Sequence, residues 1–153
     1  MQWPTSYGRY QVLPLAAHDI PQIVALERLV FLEPLTEDVV RAKHQSPTVC
    51  YLTVKDGDLV IAYFGFEVFD QYAHVLANVT HPDYRRQGLA RFLLTFAEPL
   101  ARERGARAFL GEVRYSNHPQ LKVLEQIGWH RVITIPQFFG NGEDAHIVMK
   151  VLA

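Results

Sequence analysis

Cysteine is nearly missing from this chain, with Cys50 alone among 153 residues. One cysteine cannot close an intrachain disulfide, so the fold must rest on its core, and the count fits a reducing compartment. Cys50 lies in an apolar, alternating run and reads as a buried, inert thiol rather than a nucleophile. Long apolar runs are missing too, since none reaches the roughly 20 residues that span a bilayer. The N-terminus, Met1-Gln2-Trp3-Pro4, lacks the charged leader and apolar block of a secretory signal. Charge of one sign is scarce: the formal net charge of −1 removes any global case for nucleic-acid binding. The histidines at 18, 44, 74, 81, 118, 130 and 146 show no i, i+4 pair and no His/Cys cluster with metal spacing. They read as ordinary surface or core residues, and no metal site is expected. Repeats, linkers and low-complexity segments do not occur.

What is present is ordinary for a globular protein, with 49% apolar and 20% charged residues. A chain of this length can build one domain with a real core, so residues 1–153 read as a single soluble, cytoplasmic domain. A first strand is expected over Arg9–Leu15. Asp19 reads as an N-cap with Pro21 just inside the helix. Ile20, Ile23, Val24 and the run from Leu26 to Val30 supply the apolar face of that helix. Thr36 caps a second helix reaching Lys43. Strands follow at Thr48–Val54 and Leu59–Phe69, joined by an Asp56-Gly57 hairpin turn, and then at Tyr72–Thr80. A long amphipathic helix covers about Gly88 to Arg104, with a kink expected near Thr95 because Pro99 lies inside it. Beyond it come a strand over Ala106–Arg114, a helix from about Pro119 to Ile127 capped by Ser116 or Asn117, and strands at Trp129–Ile135 and Ala145–Val151. The order β-α-α-β-β-β-α-β-α-β-β predicts an α/β (α+β) fold with a mixed, mostly antiparallel central sheet flanked by helices. The last strand leaves room for pairing with another chain, and the oligomeric state stays open.

The most informative segment is Val79-Thr80-His81-Pro82-Asp83-Tyr84-Arg85-Arg86-Gln87-Gly88-Leu89-Ala90-Arg91. A strand runs into a tight turn that opens directly into a helix. The first turn of a helix has N–H groups without intrahelical partners, and its dipole makes that end positive. Gly88 and Ala90 let an anion approach the backbone, while Arg85, Arg86 and Arg91 add charge. The segment reads as a pyrophosphate cradle. It resembles motif A of the GNAT superfamily of acyl-CoA-dependent N-acyltransferases, Q/R-x-x-G-x-G/A, with Arg85, Gly88 and Ala90 in the motif positions. The resemblance covers the whole chain and implies acetyl-CoA as cofactor. It implies that the backbone of Asn78, Val79 and Thr80 pairs with the pantetheine arm. It also implies that Arg86, Gln87, Gly88, Leu89, Ala90 and Arg91, with Arg85, hold the pyrophosphate.

A second constellation runs from Glu112-Val113-Arg114-Tyr115-Ser116-Asn117 to Ile127-Gly128-Trp129. It is similar to the E-V-R-x-S-N-x-x-A-x-x-L-Y-x-x-x-G-F stretch of the bacterial ribosomal-protein-alanine N-acetyltransferases. Phe138-Phe139 is a counterpart of their later Tyr-Tyr pair, and Gly142-Glu143-Asp144-Ala145 matches their G-x-E-D-A run. The resemblance implies that Glu112 is the general base and that Asn117 contacts the cofactor arm. It further implies that the acceptor is a protein or peptide N-terminus, a ribosomal protein among the candidates, with neither nucleic acid nor membrane as partner. One position departs from the pattern: the tyrosine that protonates the departing thiolate falls on Leu124, which cannot donate a proton. A thiol pKa of about 8.5 makes the thiolate a tolerable leaving group near neutral pH. Loss of a general acid costs about two to four powers of ten, and Tyr115, His118 or water could substitute. Two other readings stay open at this point: a GNAT acetylating a small-molecule amine, and an acyl-CoA-binding module with little transferase activity.

Overall fold

The computed structural model describes residues 5–152. The leader reading at Met1–Pro4 therefore lies outside the described residues. The strands are β1 (Thr5–Tyr7), β2 (Tyr10–Pro14), β3 (Val49–Asp56), β4 (Leu59–Phe69), β5 (Tyr72–Thr80), β6 (Ala108–Arg114), β7 (His130–Ile135) and β8 (Ala145–Val151). The helices are α1 (Ile20–Val30), α2 (Glu37–Gln45), α3 (Leu89–Glu103) and α4 (His118–Gln126). The sheet is mixed and mostly antiparallel, as expected, with one strand more than the sequence indicated. Thr5-Ser6-Tyr7 is a short edge strand, antiparallel to β2 across a turn at Gly8-Arg9. Three residues carry too little alternation to announce a strand. The pairing with β2 makes it one. Among the described residues no helix is long and apolar enough to cross a membrane.

The chain forms two compact units. The first comprises Met1–Glu67 and Leu76–Leu94, the second Val68–Val75 and Thr95–Ala153. In the first, the strand order is β1-β2-β3-β4-β5. Apolar residues of α1 (Ile20, Ile23, Val24, Leu26) and Val40 of α2 pack with Val49, Tyr51, Val60 and Tyr63. Tyr51 lies opposite Gly65 in the β3–β4 register. A Cβ at Gly65 would stand 2.2 Å from the Tyr51 ring, so glycine is what lets that ring lie flat across β4. Cys50 is buried in β3, consistent with the reading of an inert thiol.

Thr36 caps α2 as expected, its hydroxyl accepting from the Val39 N–H. Asp19 does not cap α1. Its backbone is already helical, with φ −82° and ψ −16°, whereas a capping residue needs an extended backbone to turn its side chain onto the first amides. The Asp19 carboxylate is instead buried, accepting the Ala16 N–H at 3.1 Å and pairing with Lys55 Nζ at 2.8 Å.

In the second unit the order is β5-β6-β8-β7. The β5–β6 pair is parallel, through Tyr72↔Ala108, Ala73↔Phe109 and His74↔Leu110, and β8 is antiparallel to both β6 and β7. The last strand is therefore interior, and both of its edges are already hydrogen-bonded. That removes it as a place for another chain to add. β6 begins at Ala108 rather than Ala106, because the Ala106 N–H is used to close the C-terminus of α3 on the Ala101 carbonyl at 3.0 Å. Phe109 and Trp129 stack at 5.7 Å in this core. α3 continues as one helix through Pro99 to Glu103.

A second buried acid, Glu27, marks the first unit. Glu27 is 3% exposed and accepts the Tyr63 hydroxyl proton. Burial raises its carboxyl above the ordinary range, against the pull of hydrogen bonds from Tyr63 and the Leu35 amide. Burial and the Glu27 charge likewise push the Tyr51 phenol up to about 12. A raised carboxyl pKa favours the protonated form in the fold. Its stabilising contribution is therefore full below the unfolded value of about 4.3 and is lost as pH rises through the folded value. The stability of the wild type relative to Glu27→Gln should accordingly fall in urea titrations as pH rises from the unfolded carboxyl value of about 4.3 through the raised folded one. A difference that grows with pH would contradict this.

Candidate functional site

The anion loop belongs wholly to the first unit. β5 ends at Thr80, and the His81 N–H is anchored on the Ile61 carbonyl at 2.7 Å. A single 3-10 turn, Pro82–Tyr84, follows, with the Asp83 N–H donating to His81 Nδ1 at 3.1 Å. The Tyr84 hydroxyl donates to Asp56 Oδ2 at 3.0 Å, which ties the turn to the end of β3. The next four residues, Arg85 to Gly88, are exposed. Arg86 has φ +64° and Gly88 φ +77°. Left-handed residues alternating with ordinary ones curl successive N–H groups toward one side, the arrangement called a nest, which binds anions. For Arg86 this conformation costs roughly 1–2 kcal/mol, and glycine adopts it without that penalty. The first helical bond runs from the Phe92 N–H to the Gly88 carbonyl at 2.9 Å, so the amides of Gly88 to Ala90 lie outside the helix's own hydrogen-bond ladder.

Each expected residue of this loop has a place. Val79 and Leu89 are buried in the core, so only their backbone is available to a ligand. Arg85, Arg86 and Arg91 are exposed. The Gln87 carbonyl and side chain are both engaged, by the hydroxyls of Tyr7 and Tyr10. Asn78 does more than contribute backbone: its Nδ2 donates to the Ala90 carbonyl at 3.3 Å, pinning β5 to the first turn of α3. Its Oδ1 is buried and has no hydrogen-bond partner. Such an acceptor costs about 1–3 kcal/mol until a donor reaches it. The nest, the three arginines and this orphaned acceptor fit a ligand that carries both phosphate oxygens and amide N–H groups. Coenzyme A is of that kind.

The carboxylate belongs to the second unit. The parallel ladder sets His74 opposite Leu110. Side chains two apart on a strand share a face, so Glu112 is the diagonal neighbour of His74 on that face. The His74 Nε2 lies 2.6 Å and 2.9 Å from the two oxygens of Glu112. An ionised carboxylate only accepts, so Nε2 carries the proton in this pair. Both side chains are partly exposed. By sequence alone His74 is an ordinary histidine. No single-sequence signal marks it, because its partner is fixed by the β5–β6 register.

Asn117 caps α4, its Oδ1 accepting from the Gln120 N–H at 3.3 Å. Leu124 is buried in α4. Tyr115 is exposed and stacks on His146 at 4.8 Å, and His118 opens α4 on the surface. The loop from Pro136 to Asp144 is held by two carboxylates: Asp144 Oδ1 accepts the Gln137 N–H at 3.0 Å, and Glu143 ties the loop to β6 and its end. Glu143 accepts from the Ser116 N–H at 2.8 Å and from the Ser116 hydroxyl, and pairs with Arg114 at 3.3 Å. The hydrogen bonds from Ser116, then the Arg114 guanidinium, hold the Glu143 carboxyl below its usual range. Arg114 also covers the Phe139 ring at 4.1 Å.

A mixed sheet with an exposed, arginine-bearing loop between a strand and a helix is a scaffold suited to a coenzyme-dependent group-transfer enzyme. Residues 20–129 match the acetyltransferase (GNAT) family, and the chain belongs to it: this protein is an acetyltransferase. A relative from Bacillus subtilis (strain 168), provisionally named a [ribosomal protein bS18]-alanine N-acetyltransferase, is 32% identical over 133 residues, covering 85% of this chain and 87% of the relative. The crystal structure of the ribosomal-protein-S18-alanine N-acetyltransferase from Escherichia coli is similar with a TM-score of 0.85 and 23% identity, over 94% of both chains. The fold also matches YncA from Salmonella typhimurium, solved with its cofactor acetyl-CoA, at a TM-score of 0.82 and 18% identity over 95% of both chains.

The lowered Glu143 carboxyl means that its grip on Ser116 and Arg114 is present above the unfolded carboxylate value and is lost as pH falls through the folded one. Glu143→Gln should raise amide exchange in residues 136–144 at neutral pH and leave β6 protected. Unchanged exchange in that loop would show that the carboxylate does not hold it.

Proposed function

We propose that this acetyltransferase moves an acetyl group from acetyl-CoA to the N-terminal α-amino group of a protein, a ribosomal protein being the acceptor, in the cytoplasm. In this reading residues 1–153 act as a single GNAT-like domain. The observation that carries the acceptor class is the similarity to the Bacillus subtilis relative along most of both chains. The chemistry points the same way. An α-amino group has a pKa of about 7.7–8.0, against about 10.4 for lysine, so a carboxylate base suits the α-amine better.

Acetyl-CoA supplies a thioester, and the neutral amine forms its C–N bond with the acyl carbon as the C–S bond breaks. The chain's own groups do the rest. The amides and arginines of Arg85 to Arg91 bind the pyrophosphate. The backbone of Asn78, Val79 and Thr80 lies along the pantetheine, and Asn78 Oδ1 accepts one of its amide protons. Asn117 contacts the same arm while capping α4. Glu112 accepts the proton that the amine loses, directly or through water. His74 is a positioning residue, because its Nε2–H holds the carboxylate in one orientation. Leu124 offers no proton, so the thiolate leaves without help from that position, which its modest basicity permits.

Mass spectrometry of a peptide beginning with the bS18 N-terminal alanine should show acetyl on the α-amine alone. Modification only of lysines or of small amines would overturn the acceptor assignment. Glu112→Gln should lower kcat by about 10²- to 10⁴-fold with little change in KM for acetyl-CoA. An unchanged rate would remove Glu112 as the base. Leu124→Tyr should raise kcat if departure of the thiolate limits the rate.

A further inference from the structure

The β1–β2 hairpin, which precedes the matched family region, reaches the anion loop with two tyrosines that no catalytic role requires. The Tyr7 hydroxyl donates to the main-chain carbonyl of Gln87. The Tyr10 hydroxyl donates to Oε1 of the same residue at 2.8 Å. Gln87 is thus gripped at its backbone and its side chain by one hairpin. The Tyr7 ring also packs against Phe92 in the first turn of α3, with ring centroids 4.6 Å apart. Tyr10 is buried and lies under the Arg9 guanidinium, which pairs with Asp56, the residue that receives the Tyr84 hydroxyl.

The consequence follows from peptide geometry. In a trans peptide the C=O and the following N–H point in opposite directions. A Gln87 carbonyl held on Tyr7 therefore aims the Gly88 N–H away from the hairpin. Without that hydroxyl, rotation of the peptide plane would turn a carbonyl oxygen toward any anion in the nest. Gly88 shows how close the fit is: a Cβ there would lie 2.9 Å from the Tyr7 hydroxyl. We propose that Tyr7 and Tyr10 are positioning residues that lock the Gln87–Gly88 peptide plane and so preorganise the cofactor's pyrophosphate site. This rests on the reading of Arg85–Arg91 as the pyrophosphate loop. Preorganisation acts by removing the cost of ordering the loop on binding.

The test compares wild type, Tyr7→Phe and Tyr10→Phe with two donors, acetyl-CoA and acetyl-pantetheine, which lacks the pyrophosphate. The phenylalanine variants keep the rings and remove only the hydroxyls, and thermal melting checks that each is folded. Tyr7→Phe should raise the Kd for coenzyme A and the KM for acetyl-CoA by about three- to ten-fold, the scale of one hydrogen bond. The kcat at saturating acetyl-CoA, and kcat/KM for acetyl-pantetheine, should stay at wild-type values. Tyr10→Phe should change the same constants in the same direction by a smaller factor. If both variants bind coenzyme A like wild type, the clasp is overturned. If both donors lose equally, the tyrosines serve the fold at large and the proposal fails. If the wild type itself does not favour acetyl-CoA over acetyl-pantetheine, the pyrophosphate reading fails first.

Discussion

A helix must begin with amide donors that its own backbone cannot satisfy, and in this protein that start follows Gly88, where α3 opens at Leu89. The rest of the first unit is arranged around it. β5 delivers the chain, the Pro82–Tyr84 turn reverses it, and two left-handed residues fold the amides inward. Asn78 fastens strand to helix, at the cost of a buried acceptor left open. Nothing in the local sequence relieves the strain at Arg86. It persists because the surrounding contacts over-determine the turn.

The carboxylate end follows another logic. Glu112 is not marked by burial or by an unusual local conformation. It is marked by a neighbour, His74, which comes from a strand 38 residues earlier and arrives through three parallel pairs. A short parallel ladder is a weak device on its own, but register is strict: a slip of one residue would turn His74 to the other face of the sheet. The antiparallel pairing of β6 with β8, which runs the full length of β6, provides the rigidity that the short ladder lacks.

Much of this was legible from residues alone. Alternation and turn chemistry located β4, β5 and β8 to the residue, because long apolar strands and Asp-Gly turns are local signals. The cap at Thr36 and a helix start at about Gly88, one residue before the observed Leu89, were legible for the same reason. The errors share one cause. Asp19 has the right residue type for a cap, but the preceding turn had already set its backbone helical, and burial beside Lys55 decided its role. Thr5–Tyr7 became a strand only because β2 was there to pair with it. Ala106 left its strand because the end of α3 needed a donor.

The sequence by itself determined the family, and it singled out the loop Arg85–Arg91 and the candidate base Glu112, since each is a contiguous pattern of residue types with its own physics. The tertiary structure alone decided which groups surround them: His74 on Glu112, the two tyrosines on Gln87, Asn78 on Ala90, Glu143 on Ser116. These contacts depend on strand register and on the return of distant segments. Backbone pairing and core packing set both, and neither leaves a local mark in the order of residues.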